Sequence, residues 1–231
     1  MVDRSRIGQR FTGRHKFLCE LSGELRDEVI LDAGCGFGWF EEWAVDKGCA
    51  RVVGLDLDQC LVERANDAVP AAQILRRDAK EPLSDLGRFT VISAFDFMEH
   101  LAPGEDLEAL RNLKDLLEPG GRLLLSVPYR SILSNGLDPA WYFHHRHFSV
   151  EEMESLLKRA GFRATRMAFG GGVWEQVSLI WLYIFKWVFK REMPCADFIE
   201  KKRFREYANF KTRPGRGAFV TMFVEAVREE G

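Results

Sequence analysis

The sequence predicts an α/β fold, a doubly wound and mostly parallel sheet covered by helices on both faces. Three observations carry that expectation. Short apolar runs alternate with helical patterns along most of the chain, the order that builds crossover units. The first apolar run ends in a glycine cluster, where a strand can hand over to a helix around a ligand. Asp56 ends the second run and Asp78 follows the third, which lines carboxylates along the carboxyl ends of the strands, where open α/β sheets bind ligands.

In chain order, residues 29–31 read as the first strand and 40–47 as a helix. The second strand covers 51–55 and the next helix 61–68. A weak third strand at 73–75 is followed by a fourth at 89–94. The helical pattern of 107–117 stops at Glu118-Pro119-Gly120-Gly121, a strong breaker. A fifth strand over 122–127 is stopped by Pro128. Ser149-Val150-Glu151-Glu152 has the S-x-x-E form of a capping box and opens a helix to Ala160, closed by Gly161. Residues 162–169 make a sixth strand and 217–227 a seventh. One domain over 1–231 is expected: an N-terminal arm at 1–28, a core at 29–169 and 217–229, and an insert at 170–216.

Composition excludes several classes. The 231 residues are 46% hydrophobic and 29% charged with a net charge of -2, ordinary globular material and not a generally basic nucleic-acid binder. Five cysteines, an odd number without a C-x-x-C, give neither a disulfide framework nor a zinc knuckle, and fit a reducing compartment. The first 16 residues show no signal-peptide pattern. No apolar run approaches the roughly 18 residues of a transmembrane helix. The expected location is the cytoplasm, with peripheral membrane contact left open by the insert.

Asp32-Ala33-Gly34-Cys35-Gly36-Phe37-Gly38 follows the first strand. The spacing is G-x-G-x-G. A dinucleotide loop of G-x-G-x-x-G form needs glycine at position 39, where Trp39 stands, and the lysine of a P-loop is absent. A nicotinamide-dependent oxidoreductase is therefore a weaker alternative. Asp56 is placed to accept both ribose hydroxyls of a nucleoside, and Asp78-Ala79 to meet its base. Either aspartate alone reads as a turn or cap residue; in this order, at strand ends, they read as a nucleoside site.

VILDAGCGFGWF, VVGLDLD, RRDA, FDFMEHL and LLEPGGRLLLSVP together resemble the successive motifs of class I S-adenosylmethionine-dependent methyltransferases. The likeness spans roughly residues 11–169. It is nearest to the branch of the ubiquinone-biosynthesis O-methyltransferases, through Glu99-His100 and His144-His145-Arg146-His147-Phe148-Ser149. The resemblance implies a seven-stranded sheet with an antiparallel last strand and S-adenosyl-L-methionine as cofactor. It implies that Asp32, Gly34, Cys35, Gly36 and Gly38 wrap the methionine moiety and that Asp56 holds the ribose. Leu57 would lie against the adenine, Asp78 and Ala79 would meet its amino group, and Phe95 would offer its backbone. Arg14 would reach the methionine carboxylate, or else be a solvated arginine of the arm.

Methyl transfer to a hydroxyl needs a base near neutral pKa. The candidates are His100, His144 and His145, with Tyr129 and Tyr142 as walls, whereas His147 reads as a loop anchor. Asp96, Glu99 and His100 form a weaker metal-site alternative, since one acidic turn at a helix start is commonly dipole compensation. The expected activity is methyl transfer to a small or lipid-like acceptor, at oxygen; a catalytically silent cofactor-binding module is the alternative. Nucleic acid is not expected as a partner.

The insert gathers the aromatics. Of 18 Phe, 6 Trp and 4 Tyr, seven lie at 169, 174, 181, 183, 185, 187 and 189. The helix over 173–190 is apolar nearly all round, with Glu175, Gln176, Ser178, Lys186 and Lys190 on one arc. A basic stretch follows at 201–216. Three readings stand open: a lid on the core, a contact with anionic lipid, and a homodimer interface.

Overall fold

The computed structural model describes residues 11–131, 145–191 and 194–229. Its centre is a seven-stranded sheet in the order β3-β2-β1-β4-β5-β7-β6. The strands are β1 (Val29–Ala33), β2 (Arg51–Asp56), β3 (Gln73–Arg76), β4 (Phe89–Phe95), β5 (Leu117–Pro128), β6 (Phe162–Gly170) and β7 (Thr221–Arg228). β1 to β5 pair in parallel, while β7 runs antiparallel to both β5 and β6. The expected fold class and the antiparallel last strand are both present.

Among the described residues the α-helices are α1 (Gly13–Ser22), α2 (Trp39–Asp46), α3 (Gln59–Ala68), α4 (Glu105–Leu116), α5 (Val150–Ala160), α6 (Val173–Tyr183) and α7 (Ala196–Ala208). A π-helical turn, Ile184–Phe189, continues α6. Successive strand residues point to opposite faces, so each central strand feeds two cores. Leu31, Val53, Ile92 and Leu123 pack with Leu113 of α4 and Leu157 of α5. Their neighbours Ile30, Val52, Val91 and Leu124 pack with Phe17 of α1, Phe40 of α2 and Tyr207 of α7.

Local signals hold where the sequence is explicit. Ser149 Oγ accepts from Glu152 N at 3.2 Å, and Glu152 Oε2 accepts from Ser149 N at 2.9 Å, closing the capping box of α5. Gly161 ends that helix in a left-handed conformation. The 118–121 breaker stops α4 as expected, but the chain stays in the sheet. β4 and β5 pair at Phe89–Leu117 and again at Val91–Arg122, so the intervening residues of β5 bulge from the ladder.

Two helices go beyond the sequence reading. The N-terminal arm forms α1, whose Thr12 cap and His15 make a second capping box. The basic stretch of the insert is α7. It crosses α1 at Gly13, where a Cβ would stand 2.7 Å from Phe204 N. Tyr207 of α7 is buried in the second core, with its hydroxyl 3.0 Å from Thr221 Oγ1 on β7. The second half of the insert is thus part of the fold, and only α6 with its π turn stands on top of it.

Candidate active site

The glycine loop is fixed from below by β2. Gly34 N and Cys35 N both donate to the Leu55 carbonyl, at 2.8 and 2.9 Å. Gly36 N donates to Asp56 Oδ2 at 2.9 Å, and Asp58 N donates to Oδ1 at 2.9 Å. One N–H on each oxygen leaves the Asp56 carboxylate further acceptor capacity. The three loop glycines differ in role. A Cβ on Gly36 (φ 57°) would meet nothing within 4 Å, so this is the point where backbone faces open space. A Cβ on Gly34 would stand 2.9 Å from Phe97, and one on Gly38 3.2 Å from Val69, so those two serve close packing. Cys35 enters by its backbone alone; its side chain is buried with Val62, Ala65 and Ile74.

Beyond Asp56, Leu57 is 58% exposed, an apolar surface at the end of β2. Asp78 Oδ1 accepts from Lys80 N at 2.9 Å, and buried Ala79 gives its carbonyl to Asn112 Nδ2 at 3.2 Å. These residues therefore come together around the carboxyl ends of β1, β2 and β3.

Asp32 turns inward. It is buried and accepts from Ser93 Oγ at 2.6 Å. Beside it lies Glu41 of α2, also buried, a residue that reads in the sequence as one more acidic residue of an early helical turn. Burial pushes Asp32 up to about 7, with the Ser93 hydrogen bond opposing. Burial, reinforced by the charge of Asp32, lifts Glu41 well above the carboxylate range. Only its contact environment reveals this: a Cβ on Gly54 would overlap Glu41 Oε1.

At the end of β4, Phe95 is buried between Phe40 (5.0 Å between ring centroids) and Trp39 (5.8 Å). Asp96 adopts a positive φ of 51° and accepts from Ser126 Oγ at 2.9 Å. Its other oxygen forms an ion pair with Arg14 of α1. His15 stacks on Trp39 at 4.4 Å and pins α1 against α2. Arg14, expected at the methionine carboxylate, has Asp96 as its partner in this structure.

A cavity of about 640 Å³ opens beyond Asp96, lined by His100, His145, Arg130 and Arg146 among others. His100 and His145 meet edge to face at 4.5 Å. Arg146 brings them together. Its N–H donates to the Glu99 carbonyl at 3.3 Å, and its guanidinium donates to Leu101 O at 3.0 Å and Asp106 Oδ2 at 2.7 Å. His100 is exposed at this cavity, yet the protein packed around it lowers its pKa, against Asp96 and Asp56, which favour the charged form. His147 is buried and gives its carbonyl to Arg130, as an anchor would. His144 and Tyr142 lie outside the described residues. Among the described residues, no group of three or more His, Cys, Asp or Glu side chains converges as a metal site, and Asp96 is engaged by Arg14 and Ser126.

Residues 8–166 match the family model described as a methyltransferase domain. The chain belongs to this family. A probable S-adenosylmethionine-dependent methyltransferase of Mycolicibacterium smegmatis is 34% identical over 135 residues, 58% of this chain and 51% of the relative. Phosphoethanolamine N-methyltransferase 1 of Arabidopsis thaliana is 28% identical, covering 58% of this chain and 28% of that protein. The ubiquinone biosynthesis O-methyltransferase of Serratia proteamaculans is 25% identical, covering 51% and 50%. The chain spans about half the length of the first curated relatives it matches. Among solved structures, the magnesium protoporphyrin IX methyltransferase of Synechocystis PCC 6803 with bound SAH superposes with a TM-score of 0.62 at 16% identity, over 94% of this chain and 84% of that one. That likeness shows a Rossmann-like methyltransferase fold.

The cofactor carried by the name of the Mycolicibacterium smegmatis relative is S-adenosylmethionine. The residues present fit it. Gly36 faces open space, Asp56 keeps acceptor capacity, and Leu57 offers an apolar surface next to it.

Proposed function

We propose that this domain transfers a methyl group to an oxygen of a small or lipid-like acceptor bound in the cavity at the end of β4. The observation that carries the reading is the His100–His145 pair at that cavity, with the His100 pKa lowered by its surroundings. A histidine that is neutral near pH 7 can accept a hydroxyl proton.

In this reading Asp56 holds the ribose hydroxyls, Leu57 covers the adenine face, and Asp78 and Ala79 meet its amino edge. Gly34, Cys35, Gly36 and Gly38 line the methionine portion with backbone, and buried Asp32 supports the loop. Phe95 contributes backbone, and Arg14, paired with Asp96, supplies positive charge for the methionine carboxylate. When bound, the cofactor supplies a sulfonium-borne methyl carbon as the electrophile. The residues of the chain do the rest. His100 takes the acceptor proton, His145 restrains the His100 ring, and Arg146 fixes the loop that carries His145.

Incubation with methyl-labelled S-adenosylmethionine and cell extract, split into lipid-soluble and aqueous fractions, tests the reading. Label should enter a product on oxygen, in the lipid-soluble fraction for a lipid-like acceptor or in the aqueous fraction for a small one, and His100→Gln should slow it by about 100-fold or more. Label on nitrogen would overturn the oxygen assignment. S-adenosylhomocysteine binding with no label in either fraction would leave a silent binding module.

A further inference from the structure

Helix α6 is inside out. Its buried side carries Glu175, Gln176 and Ser178, while Val173 and Trp181, and Ile184 just beyond its end, at i, i+8 and i+11, face solvent. The π turn continues this surface with Val188, 69% exposed, and Phe189. Stacking of Trp181 on Phe185 (5.5 Å) and Phe185 against Phe189 (5.1 Å) makes the aromatic part continuous. Among the described residues nine large hydrophobic side chains are exposed, and six of them fall between Val173 and Phe198. Such a cluster marks an interaction surface. The buried Glu175 carboxylate is matched by Arg203, which holds this side of α6 inward and leaves the apolar arc outside.

A basic cleft of about 490 Å³ lies beside this surface. Lys202, Arg205, Lys211 and Arg216 line it together with Trp174. The Glu206 carboxylate in the same cleft accepts from the N–H groups of Gly172, Trp174 and Glu175, at 2.9–3.0 Å, so it is committed to the start of α6. Trp174 packs edge-on to exposed Phe198 at 5.7 Å, and Lys202 Nζ sits 5.5 and 5.4 Å above the two rings. Apolar and cationic surfaces thus meet at one seam.

We propose that the α6–α7 face docks on a bilayer containing anionic phospholipid, with the apolar stripe set among the headgroups and lipid phosphates in the basic cleft. No described helix is long and apolar enough to cross a membrane, so the segment lies on the surface. A second copy fits the face less well. A two-fold interface with its axis at the basic cleft would set Lys202 and Arg205 against the same cations of the partner. The inference concerns how the domain reaches its place of work and does not depend on which atom is methylated.

Sedimentation of the full chain with vesicles tests it. Binding is expected to vesicles of phosphatidylcholine and phosphatidylglycerol in equal parts, and not to phosphatidylcholine alone. Lys202→Gln, Arg205→Gln and Arg216→Gln should each lower the partition about fivefold, and added salt should act in the same direction. Val188→Asp with Phe189→Asp should abolish binding while S-adenosylhomocysteine affinity, read by calorimetry, stays unchanged, which separates lost docking from lost folding. No binding to the anionic vesicles overturns the proposal, as does binding that none of these variants changes. Calorimetric binding of inorganic phosphate without vesicle binding would give the cleft to a soluble anion. A dimer broken by Val188→Asp, without vesicle binding, would give the face to a second copy.

Discussion

Arg14 and Asp96 form an ion pair that ties helix α1 to the carboxyl end of β4. Asp96 holds a positive φ there and is also bonded to Ser126, so the carboxylate is oriented by β5 and the arginine is oriented by the carboxylate. The pair fixes a guanidinium at the carboxyl end of β4, where the proposed function puts the methionine carboxylate. Arg14→Ala should weaken S-adenosylhomocysteine binding about 10- to 100-fold, the loss of a charge-assisted contact. Asp96→Asn should cost less, because the arginine remains. Calorimetry separates the cases: a lowered melting temperature with unchanged affinity would make Arg14 a purely structural residue.

Arg203 and Glu175 hold α7 to α6, with Nη2 2.9 Å from Oε1. Burial alone would raise the Glu175 pKa; Arg203 overrides it and holds the carboxyl below its ordinary value. Glu175→Leu leaves Arg203 buried with Glu200 as its remaining partner, and should cost about 3 kcal/mol. Removing both with Glu175→Leu and Arg203→Met should cost clearly less than the two single changes added together. Urea unfolding of the four proteins gives the coupling.

Asp32 and Glu41 make stability depend on pH. Their folded pKa values lie above those of the unfolded chain, so between about pH 4 and about pH 7 the folded state binds more protons. Stability from these groups is therefore present at the acid end and is lost as pH rises through that window. Glu41→Gln removes one of the two carboxyls and relieves the other. It should match the parent protein near pH 5 and exceed its stability by roughly 1–3 kcal/mol near pH 8. Parallel stability curves for the two proteins would contradict the pairing.

Ser149→Ala should cost about 1 kcal/mol, the usual loss for an N-cap. Its measured effect on unfolding calibrates the larger losses expected above.

That cap shows what a sequence can reveal. Ser149 and Glu152 act three residues apart and Gly161 closes the same helix, while Asp56 and the loop glycines become legible once the strand ends are placed. The strands follow from apolar runs for the same reason. Arg203 and Glu175 stand 28 residues apart, and the arginine reads as one more cation in a basic stretch until topology brings α7 under α6. The polar arc of α6 was legible, but which arc is buried depends on Arg203 and so on the tertiary fold. Glu41 reads as a dipole-compensating acid at a helix start, and only the close approach of β2 at Gly54 makes it buried. The His100–His145 contact depends on Arg146 crossing to Leu101 and Asp106, a pairing no spacing announces.

The central claim is that the carboxyl ends of β1 to β3 form an S-adenosylmethionine site organised by Asp56. Calorimetry with S-adenosylhomocysteine tests it most directly, on the parent protein and on Asp56→Ala, with circular dichroism to confirm that the variant is folded. Asp56 would contribute acceptors to the ribose and also holds Gly36 N in place, so the folded variant should bind at least about 100-fold more weakly. A folded Asp56→Ala protein with unchanged affinity, or a parent protein that does not bind, would contradict the account.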